Sequence, residues 1–360
     1  MNRIYLDDAG SAPVLPEVAE AVRGIPAGNP SSIHAEGRAA RAALDLARDR
    51  AAEAIGATRL EVTFVSSGTE AVNLAIFGTR GRLVTWAAEH QSVIAAARRS
   101  QSGGREVVIG GVDSAAMVDA EAITPGTAVV SIGLANNEVG TIQPVAEIIA
   151  RAHDLGAIVH VDACAGPRWI PLPDEADLVS ISGHKLGAGR GGLLFVREGL
   201  RIDPLIHGGP QEWGRRAGFE DVAAASAVAA ALAACRDQRD SRRLTAERQS
   251  HRLREVLVDL GGVLTGAGAR LPNFATCTFD DRRGEDMLLA LDLAGIAASS
   301  GSACASGSLD PSHVLLAMGL SMKGALGSLR LTTGYATSDA EISRAVEILR
   351  SVLSRVPVRG

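Results

Sequence analysis

The sequence of 360 residues contains little cysteine, and the cysteines that it has are scattered. None of the four belongs to a Cys-x-x-Cys pair. Because zinc and iron–sulfur sites need clustered thiolates, we expect no metal site built by this chain alone. Disulfides are not expected either, because the protein is expected to be cytosolic. The cysteines are Cys164, Cys235, Cys277 and Cys304.

Long apolar segments and blocks of a single charge are also absent from the sequence. The N-terminal residues contain no apolar core of signal-peptide length. The longest apolar stretch, residues 222–235, is shorter than a membrane span. The net charge is −5, with arginines scattered among the acidic residues. We therefore predict a soluble cytoplasmic protein, with neither nucleic acid nor a membrane as its partner.

Lysine is the scarcest charged residue in the chain. Only Lys185 and Lys323 occur among 36 lysines and arginines. Arginine stays protonated in proteins, whereas a buried lysine can lose its proton and form a Schiff base. Lys185 ends the stretch Asp177-Leu-Val-Ser-Ile-Ser-Gly-His-Lys185, in which an apolar run is followed by Ser, Gly and His. This pattern indicates a reactive lysine at the end of a buried strand.

Apolar runs alternate with helical patterns through the first two-thirds of the chain. This alternation is typical of a largely parallel sheet covered by helices on both faces. A long helix is predicted from about residue 222 to 260, and a smaller α+β region follows it. The earlier predicted strands are residues 62–65, 83–86, 128–133, 157–161, 178–182 and 192–196, with helices at 34–55, 69–77, 92–99 and 144–153. The later strands are residues 274–279 and 327–331, with helices at 284–294, 311–318 and 339–353.

Polar residues follow several of these strands, where open α/β sheets bind ligands. Ser67-Gly-Thr-Glu70 opens a helix and is either an anion site or an ordinary N-cap. Asp162 ends a strand and is either a partner for a protonated pyridinium nitrogen or a local cap or arginine partner. His90 either stacks on a flat cofactor or is solvated.

Two further candidates lie in the C-terminal third. Cys304 belongs to Ser299-Ser-Gly-Ser-Ala-Cys-Ala-Ser-Gly-Ser-Leu-Asp-Pro, which has no apolar pattern that would bury it. It is therefore a candidate nucleophile rather than a packed thiol. Arg330 lies in a strand-like run, Gly327-Ser-Leu-Arg-Leu-Thr. It is either a bidentate clamp for a substrate carboxylate or an edge-strand arginine that points to water.

Taken together, these motifs resemble one family: the pyridoxal-phosphate-dependent cysteine desulfurases of the nitrogen-fixation and iron–sulfur-cluster type, within the class V aminotransferases. The resemblance covers essentially the whole chain, and the lysine and cysteine motifs are its most specific pair. The matching stretches are Tyr5-Leu-Asp, Gly28-Asn-Pro-Ser-Ser-Ile-His, Ser67-Gly-Thr-Glu-Ala-Val-Asn, Glu89-His90, Ala135-Asn-Asn-Glu-Val-Gly-Thr-Ile-Gln-Pro, His160-Val-Asp-Ala, Ser180-Ile-Ser-Gly-His-Lys, His207-Gly-Gly-Pro-Gln-Glu and Ser299-Ser-Gly-Ser-Ala-Cys.

The resemblance implies a fold type I enzyme with a large cofactor domain, residues 12–240. A small α+β domain, residues 1–11 and 241–360, would carry the cysteine loop. A homodimer, pyridoxal 5′-phosphate, L-cysteine and a sulfur-acceptor protein are implied as well. Lys185 would hold the cofactor as a Schiff base. Cys304 would take the sulfur as a persulfide while alanine leaves.

The same motifs imply roles for the other site residues. Asp162 would pair with the pyridinium nitrogen, and His90 would stack on the ring and move protons. Asn137 would lie near the ring oxygen and the substrate. Arg330, with Asn29 nearby, would hold the substrate carboxylate. The implied phosphate ligands are Gly68, Thr69, Ser182 and His184.

Some positions depart from the family pattern. Ala165 stands where glutamine usually donates to the ring oxygen, and Phe219 where threonine usually reaches the phosphate of the other subunit. Trp213 replaces a common arginine, and Gly10-Ser-Ala12 replaces Ala-Thr-Thr. A lost hydrogen bond to a charged group is worth on the order of 1.5–3 kcal/mol. These changes therefore bear on cofactor affinity and on turnover, in a direction that the sequence alone does not fix.

Two alternatives stay open. One is a related C–S or selenocysteine lyase, or an aminotransferase, that does not use Cys304. The other is a non-catalytic dimeric protein with a weakened site. The changes at Ala165 and Phe219 motivate the first, whereas the intact Lys185 and Cys304 argue against the second. Cys164, two residues after Asp162, either lines the site or packs in the core, and the packing role is the one expected.

Overall fold

A seven-stranded sheet lies at the centre of the computed structural model, which describes residues 3–266, 268–301 and 311–356. Further short strands form two smaller sheets. The described strands are β1 (Ile4–Tyr5), β2 (Val62–Val65), β3 (Arg82–Trp86), β4 (Val107–Gly110), β5 (Thr127–Gly133), β6 (Ile158–Asp162), β7 (Leu178–Ser182), β8 (Gly192–Val196), β9 (Val263–Leu264), β10 (Phe274–Thr278), β11 (Ile296–Ala297) and β12 (Ser328–Thr332).

The central sheet is largely parallel, as the alternating pattern predicted. Its spatial order is β2-β8-β7-β6-β5-β3-β4. Every pair from β7 through β6, β5 and β3 to β4 is parallel. Strand β8 is antiparallel to both of its neighbours, β7 and β2. All strands except β8 therefore point the same way. Their carboxyl ends meet at one edge of the sheet, where an α/β fold binds its ligands.

Helices cover the sheet and connect its strands. Ser67 caps the helix after β2, since its hydroxyl accepts from the Glu70 amide at 3.2 Å. None of the helices in the described ranges is long and apolar enough to cross a bilayer. The described α-helices are α1 (Pro16–Ala21), α2 (Ala35–Ile55), α3 (Gly68–Phe77), α4 (Gln91–Ser102), α5 (Val145–Asp154), α6 (Gly183–Leu186), α7 (Val222–Asp259), α8 (Gly284–Leu293), α9 (His313–Ala317), α10 (Met322–Leu326) and α11 (Asp339–Leu353).

Two large hydrophobic clusters make up most of the described core. The first fills the space between the central sheet and its helices. The second joins Ile4 and Leu6 from the start of the chain to apolar side chains between residues 253 and 356. Helix α7 belongs to both, because Val228 packs in the first cluster and Leu257 in the second. The predicted boundary at residue 240 lies inside this helix.

Candidate active site

A cavity of about 190 Å³ lies at the carboxyl ends of the parallel strands. It receives the predicted site residues except Asn29 and Cys304. The predicted residues that line it are Gly68, Thr69, His90, Asn137, Asp162, Ser182, His184, Lys185 and Arg330. Side chains from distant parts of the sequence therefore meet at one place.

The two exceptions differ in kind. Asn29 is exposed and lies apart from this cavity, where its Oδ1 accepts from the Ser31 amide at 2.9 Å. Its role in substrate binding stays a prediction. Cys304 lies outside the described residues. On either side of its segment, Gly301 lines the cavity and the Ser312 hydroxyl donates to Glu138 Oε2 at 2.5 Å.

Lys185 and Asp162 lie at the ends of neighbouring parallel strands. Asp162 is the last residue of β6, and Lys185 lies in the short helix α6 directly after β7. Asp162 is buried, and its Oδ1 accepts from the Cys164 amide at 3.0 Å. Within the described ranges neither Lys185 nor Asp162 belongs to a salt bridge. A buried carboxylate of this kind stabilises a cation that enters the cavity.

The start of helix α3 lines the same cavity. At Gly68, a Cβ would lie only 2.4 Å from Cys164 Sγ and 2.9 Å from Ser182 Cβ, so a larger residue would force the helix away from β7. The Ser182 hydroxyl lies 2.8 Å from His184 Nδ1. Backbone amides at a helix N-terminus attract phosphate groups. The helix start and the two side chains can therefore bind one anion.

His90 is fixed in a defined tautomer. Its Nδ1 accepts from the Ser92 amide at 3.1 Å and lies 2.7 Å from the Ser92 hydroxyl. Because Nδ1 accepts an N–H, the neutral ring carries its proton on Nε2. Burial, and then the neighbouring Lys185 ammonium, lower the pKa of His90 to about 4. The ring is therefore neutral at physiological pH.

Glu89 is a buried carboxyl group to which the sequence motifs assigned no role. Burial, reinforced by the Asp162 carboxylate, raises the pKa of Glu89 to about 8. The backbone amide of Gly133 hydrogen-bonds to this carboxyl, and His313 Nε2 lies 2.9 Å from the Glu89 carbonyl oxygen. The signal that could have found it is its position just after β3, next to His90.

Arg330 enters the cavity from β12, at the side of the second hydrophobic cluster. It is 2% exposed, so the alternative of an arginine that points to water is wrong. Its Nη1 donates to the Asn137 carbonyl at 2.7 Å and to the Gly301 carbonyl at 3.3 Å. Its Nη2 donates to Asp7 Oδ1 at 2.8 Å. Asp7 was part of a matching motif without a predicted role, although it follows β1 closely.

The positions that depart from the family pattern, and Cys164 beside them, lie in different environments. Ala165 lines both the main cavity and a small adjoining cavity of about 20 Å³, which Lys185 also lines. Phe219 is 64% exposed, and Trp213 is half-exposed with its Nε1 donating to the Val62 carbonyl at 3.2 Å. Cys164 also lines the main cavity, and burial raises the pKa of its thiol well above the ordinary value.

Comparison with known proteins gives the family. Residues 4–345 match the sequence model described as Aminotransferase class-V. The chain is 38% identical over 378 residues to a cysteine desulfurase of Gluconacetobacter diazotrophicus, covering 99% of this chain and 94% of that protein. It is 39% identical over 377 residues to the cysteine desulfurase IscS of Dictyoglomus turgidum, covering 99% and 95%.

A solved structure agrees with this result. The NifS-like protein of Rickettsia africae superposes with a TM-score of 0.89 at 29% identity, covering 98% of this chain and 100% of that one. The predicted fold is therefore confirmed. The chain belongs to the class-V aminotransferase family, and within it to the cysteine desulfurases, which are pyridoxal-phosphate enzymes.

Proposed function

We propose that this cysteine desulfurase binds pyridoxal 5′-phosphate at Lys185 and converts L-cysteine to L-alanine, leaving the sulfur on Cys304 as a persulfide. The observation that supports this most is the meeting of Lys185, Asp162 and His90 in one cavity. A lysine, a buried carboxylate and a neutral imidazole are the groups that such a cofactor needs around its ring.

The cavity residues fit the cofactor at both ends. The amides at the start of α3, with Ser182 and His184, suit the phosphate. Asp162 suits a protonated ring nitrogen, because a buried carboxylate is costly until it meets a cation. When bound, the cofactor supplies an electron sink for bond breaking at the substrate amino acid.

The chain's own residues would handle protons and orientation. The Lys185 amine would hold the cofactor and, when free, would move a proton at the substrate Cα. His90 presents its Nε2 proton, since Nδ1 is held by Ser92. Arg330 and Asn137 would hold the substrate carboxylate, so that the thiol of the substrate points away from them.

Cys304 would carry out the sulfur step. Cys304 follows Gly301, which lines the cavity, by three residues in the sequence. Its thiolate attacks the substrate sulfur, a sulfur–sulfur bond forms, and the bond between Cβ and sulfur breaks. Protonation of the substrate Cβ then gives alanine, and the outer sulfur of the persulfide passes to an acceptor protein.

We also infer a homodimer. Several large apolar side chains on the described surface are exposed in one chain, and a second copy would cover them. They are Ile33, Leu205, Ile206, Trp213 and Phe219. Light scattering at micromolar concentration should give twice the chain mass, and a monomer would contradict the inference.

We infer two domains as well, residues 12–240 and residues 1–11 with 241–360. The second hydrophobic cluster supports this division, since Ile4 and Leu6 pack with residues beyond 252. Partial proteolysis should cut between the two clusters before it cuts within either one.

The decisive experiment follows alanine release and the mass of the protein after addition of L-cysteine. Cys304→Ala should lower alanine release with a reductant by at least about a hundredfold and abolish the persulfide adduct. Cys277→Ala is the matched control, because Cys277 is buried in the second cluster. Normal turnover by Cys304→Ala would favour the lyase that does not use this cysteine.

A further inference from the structure

Arg330 uses most of its hydrogen-bond donors on the chain itself. A guanidinium has five N–H donors. Two on Nη1 reach the carbonyls of Asn137 and Gly301, and one on Nη2 reaches Asp7. Two donors are left, one on Nη2 and one on Nε, and Nε is buried without a partner in the described part of the chain. Because the buried Nε is closed to a ligand in this arrangement, at most one free donor can be reached, whereas a bidentate carboxylate needs two. A substrate carboxylate would therefore need the Nη2 donor that Asp7 holds.

The position of the Asp7 side chain depends on Gly10, three residues further along the chain. At Gly10, a Cβ would lie 2.6 Å from Asp7 Oδ2 and 2.8 Å from Oδ1. Any other residue at position 10 would therefore push the Asp7 carboxylate away from Arg330. The Asp7 side chain is 25% exposed, whereas that of Arg330 is 3% exposed. The carboxylate can therefore turn toward water, but the guanidinium cannot.

We propose that Asp7 is a positioning residue that occupies Arg330 in the empty site and gives up its Nη2 donor when the substrate carboxylate binds. The proposal rests on the proposed function of Arg330 as the carboxylate site. Asp7 keeps a buried guanidinium neutralised between turnovers. It also competes with every carboxylate that enters the cavity.

This competition sets the affinity for the substrate. The incoming carboxylate replaces a carboxylate that is already present, so it gains only the difference between the two interactions. A neutral ligand of the same shape meets no such competitor at Arg330. Asp7 therefore weakens the binding of acids selectively, and its removal should strengthen the binding of acids alone.

The test measures binding of two matched ligands by calorimetry on the holoenzyme. The ligands are 3-mercaptopropionate and its neutral amide, which differ in the carboxylate. Asp7→Asn removes the charge and keeps the side-chain size. It should tighten 3-mercaptopropionate about three- to tenfold, leave the amide unchanged, and lower the KM for L-cysteine by a similar factor.

A second variant protects the test against a folding defect. Gly10→Ala should displace the Asp7 carboxylate by steric contact. It should therefore tighten the binding of 3-mercaptopropionate, as Asp7→Asn does. Asp292→Asn is the control, because Asp292 pairs with Arg3 on the surface far along the chain. Weaker or unchanged binding of the acid in both variants would overturn the proposal. If Arg330→Gln leaves the acid-to-amide ratio unchanged, the carboxylate role of Arg330 itself fails, which is a separate outcome.

Discussion

The two sides of the cavity differ in how their charges are neutralised. On the sheet side, Asp162 is buried and Lys185 stands near it, and neither belongs to a salt bridge in the ranges that the structure describes. On the opposite side, buried Arg330 already bonds to Asp7 and to two carbonyl groups. One side needs a ligand to neutralise its charge, whereas the other side is neutralised by the chain.

This difference matches the residence times of the two proposed ligands. A cofactor that stays bound can serve as the permanent partner of a buried carboxylate. A substrate that enters and leaves at each turnover cannot, because a bare guanidinium would be left buried after every release. The sheet side is therefore built for tight binding, and the Arg330 side for reversible exchange.

The largest expected effect comes from Lys185. Lys185→Arg keeps the positive charge but cannot form the covalent link, so alanine release should fall at least about a thousandfold. The visible absorbance of the bound cofactor should shift as well. Lys323→Arg is the matched control, since the other lysine of the chain is exposed on α10. Equal turnover in Lys185→Arg and wild type would contradict the assignment.

The next effect separates cofactor binding from protein stability. Asp162→Asn removes the proposed partner of the ring nitrogen and should weaken cofactor affinity by about tenfold to a hundredfold. The apoenzyme should melt at the same temperature or higher, because an unneutralised buried carboxylate has been removed. Asp203→Asn, at the surface ion pair with Arg80, is the control. A lower melting temperature of the apoenzyme would show that Asp162 is neutralised without a ligand.

Most of the central fold could be predicted from local patterns. Apolar runs at β2, β7 and β8 were predicted with their observed bounds, because each is fully or almost fully buried and flanked by polar or glycine residues. Strand β4 was missed. Its sequence, Val-Val-Ile-Gly, is apolar and β-branched but only four residues long, and so short an apolar run does not by itself identify a strand. Its partly exposed position at the sheet edge is given by its pairing, among the described strands, with β3 alone.

The site was less predictable where it depends on contacts between distant segments. Lys185 and Asp162 have local signals, since Asp162 ends strand β6 and Lys185 lies in the helix directly after β7. The Asp7–Arg330 pair joins residues at opposite ends of the chain, and only the packing of the second cluster brings them together. Periodicity carries no information about such a pair. Glu89 had a local signal in its position just after β3 and next to His90, but its burial was not predicted, because an acidic residue after a strand is usually solvated.

A pH dependence should arise on the sheet side through Glu89. With its pKa raised from 4.5 to about 8, the folded protein holds a proton between these values that the unfolded chain releases. Stability therefore falls as pH rises through this window. The pKa of His90 is lowered to about 4, so this residue affects the pH dependence of stability only below its ordinary pKa of 6.5. The interval from pH 6.5 to 8 therefore separates Glu89 from His90.

Glu89→Gln should remove this slope. Urea unfolding of the apoenzyme should be measured at pH 6.5 and at pH 8. Between these values the free energy of unfolding of the wild type should fall by on the order of 2 kcal/mol more than that of Glu89→Gln. Glu106→Gln serves as the control, since Glu106 is exposed and pairs with Arg82. Parallel pH profiles for wild type and Glu89→Gln would mean that the Glu89 carboxyl is ionised in the folded protein.

The smallest expected effect tests the Arg330 side of the cavity by the stability of the apoenzyme, which was also the readout for Asp162→Asn. Asp7→Asn leaves the buried guanidinium with carbonyl acceptors but without a carboxylate, so the free energy of unfolding of the apoenzyme should fall by about 1 kcal/mol. Asp162→Asn should not lower it. Both variants replace one carboxylate by an amide of the same size, so a loss of stability in Asp7→Asn alone would establish that the two sides are neutralised differently. A loss of stability in both would mean that the Asp162 carboxylate also has a cationic partner in the empty protein, and the contrast between a tight cofactor side and a reversible substrate side would then fail.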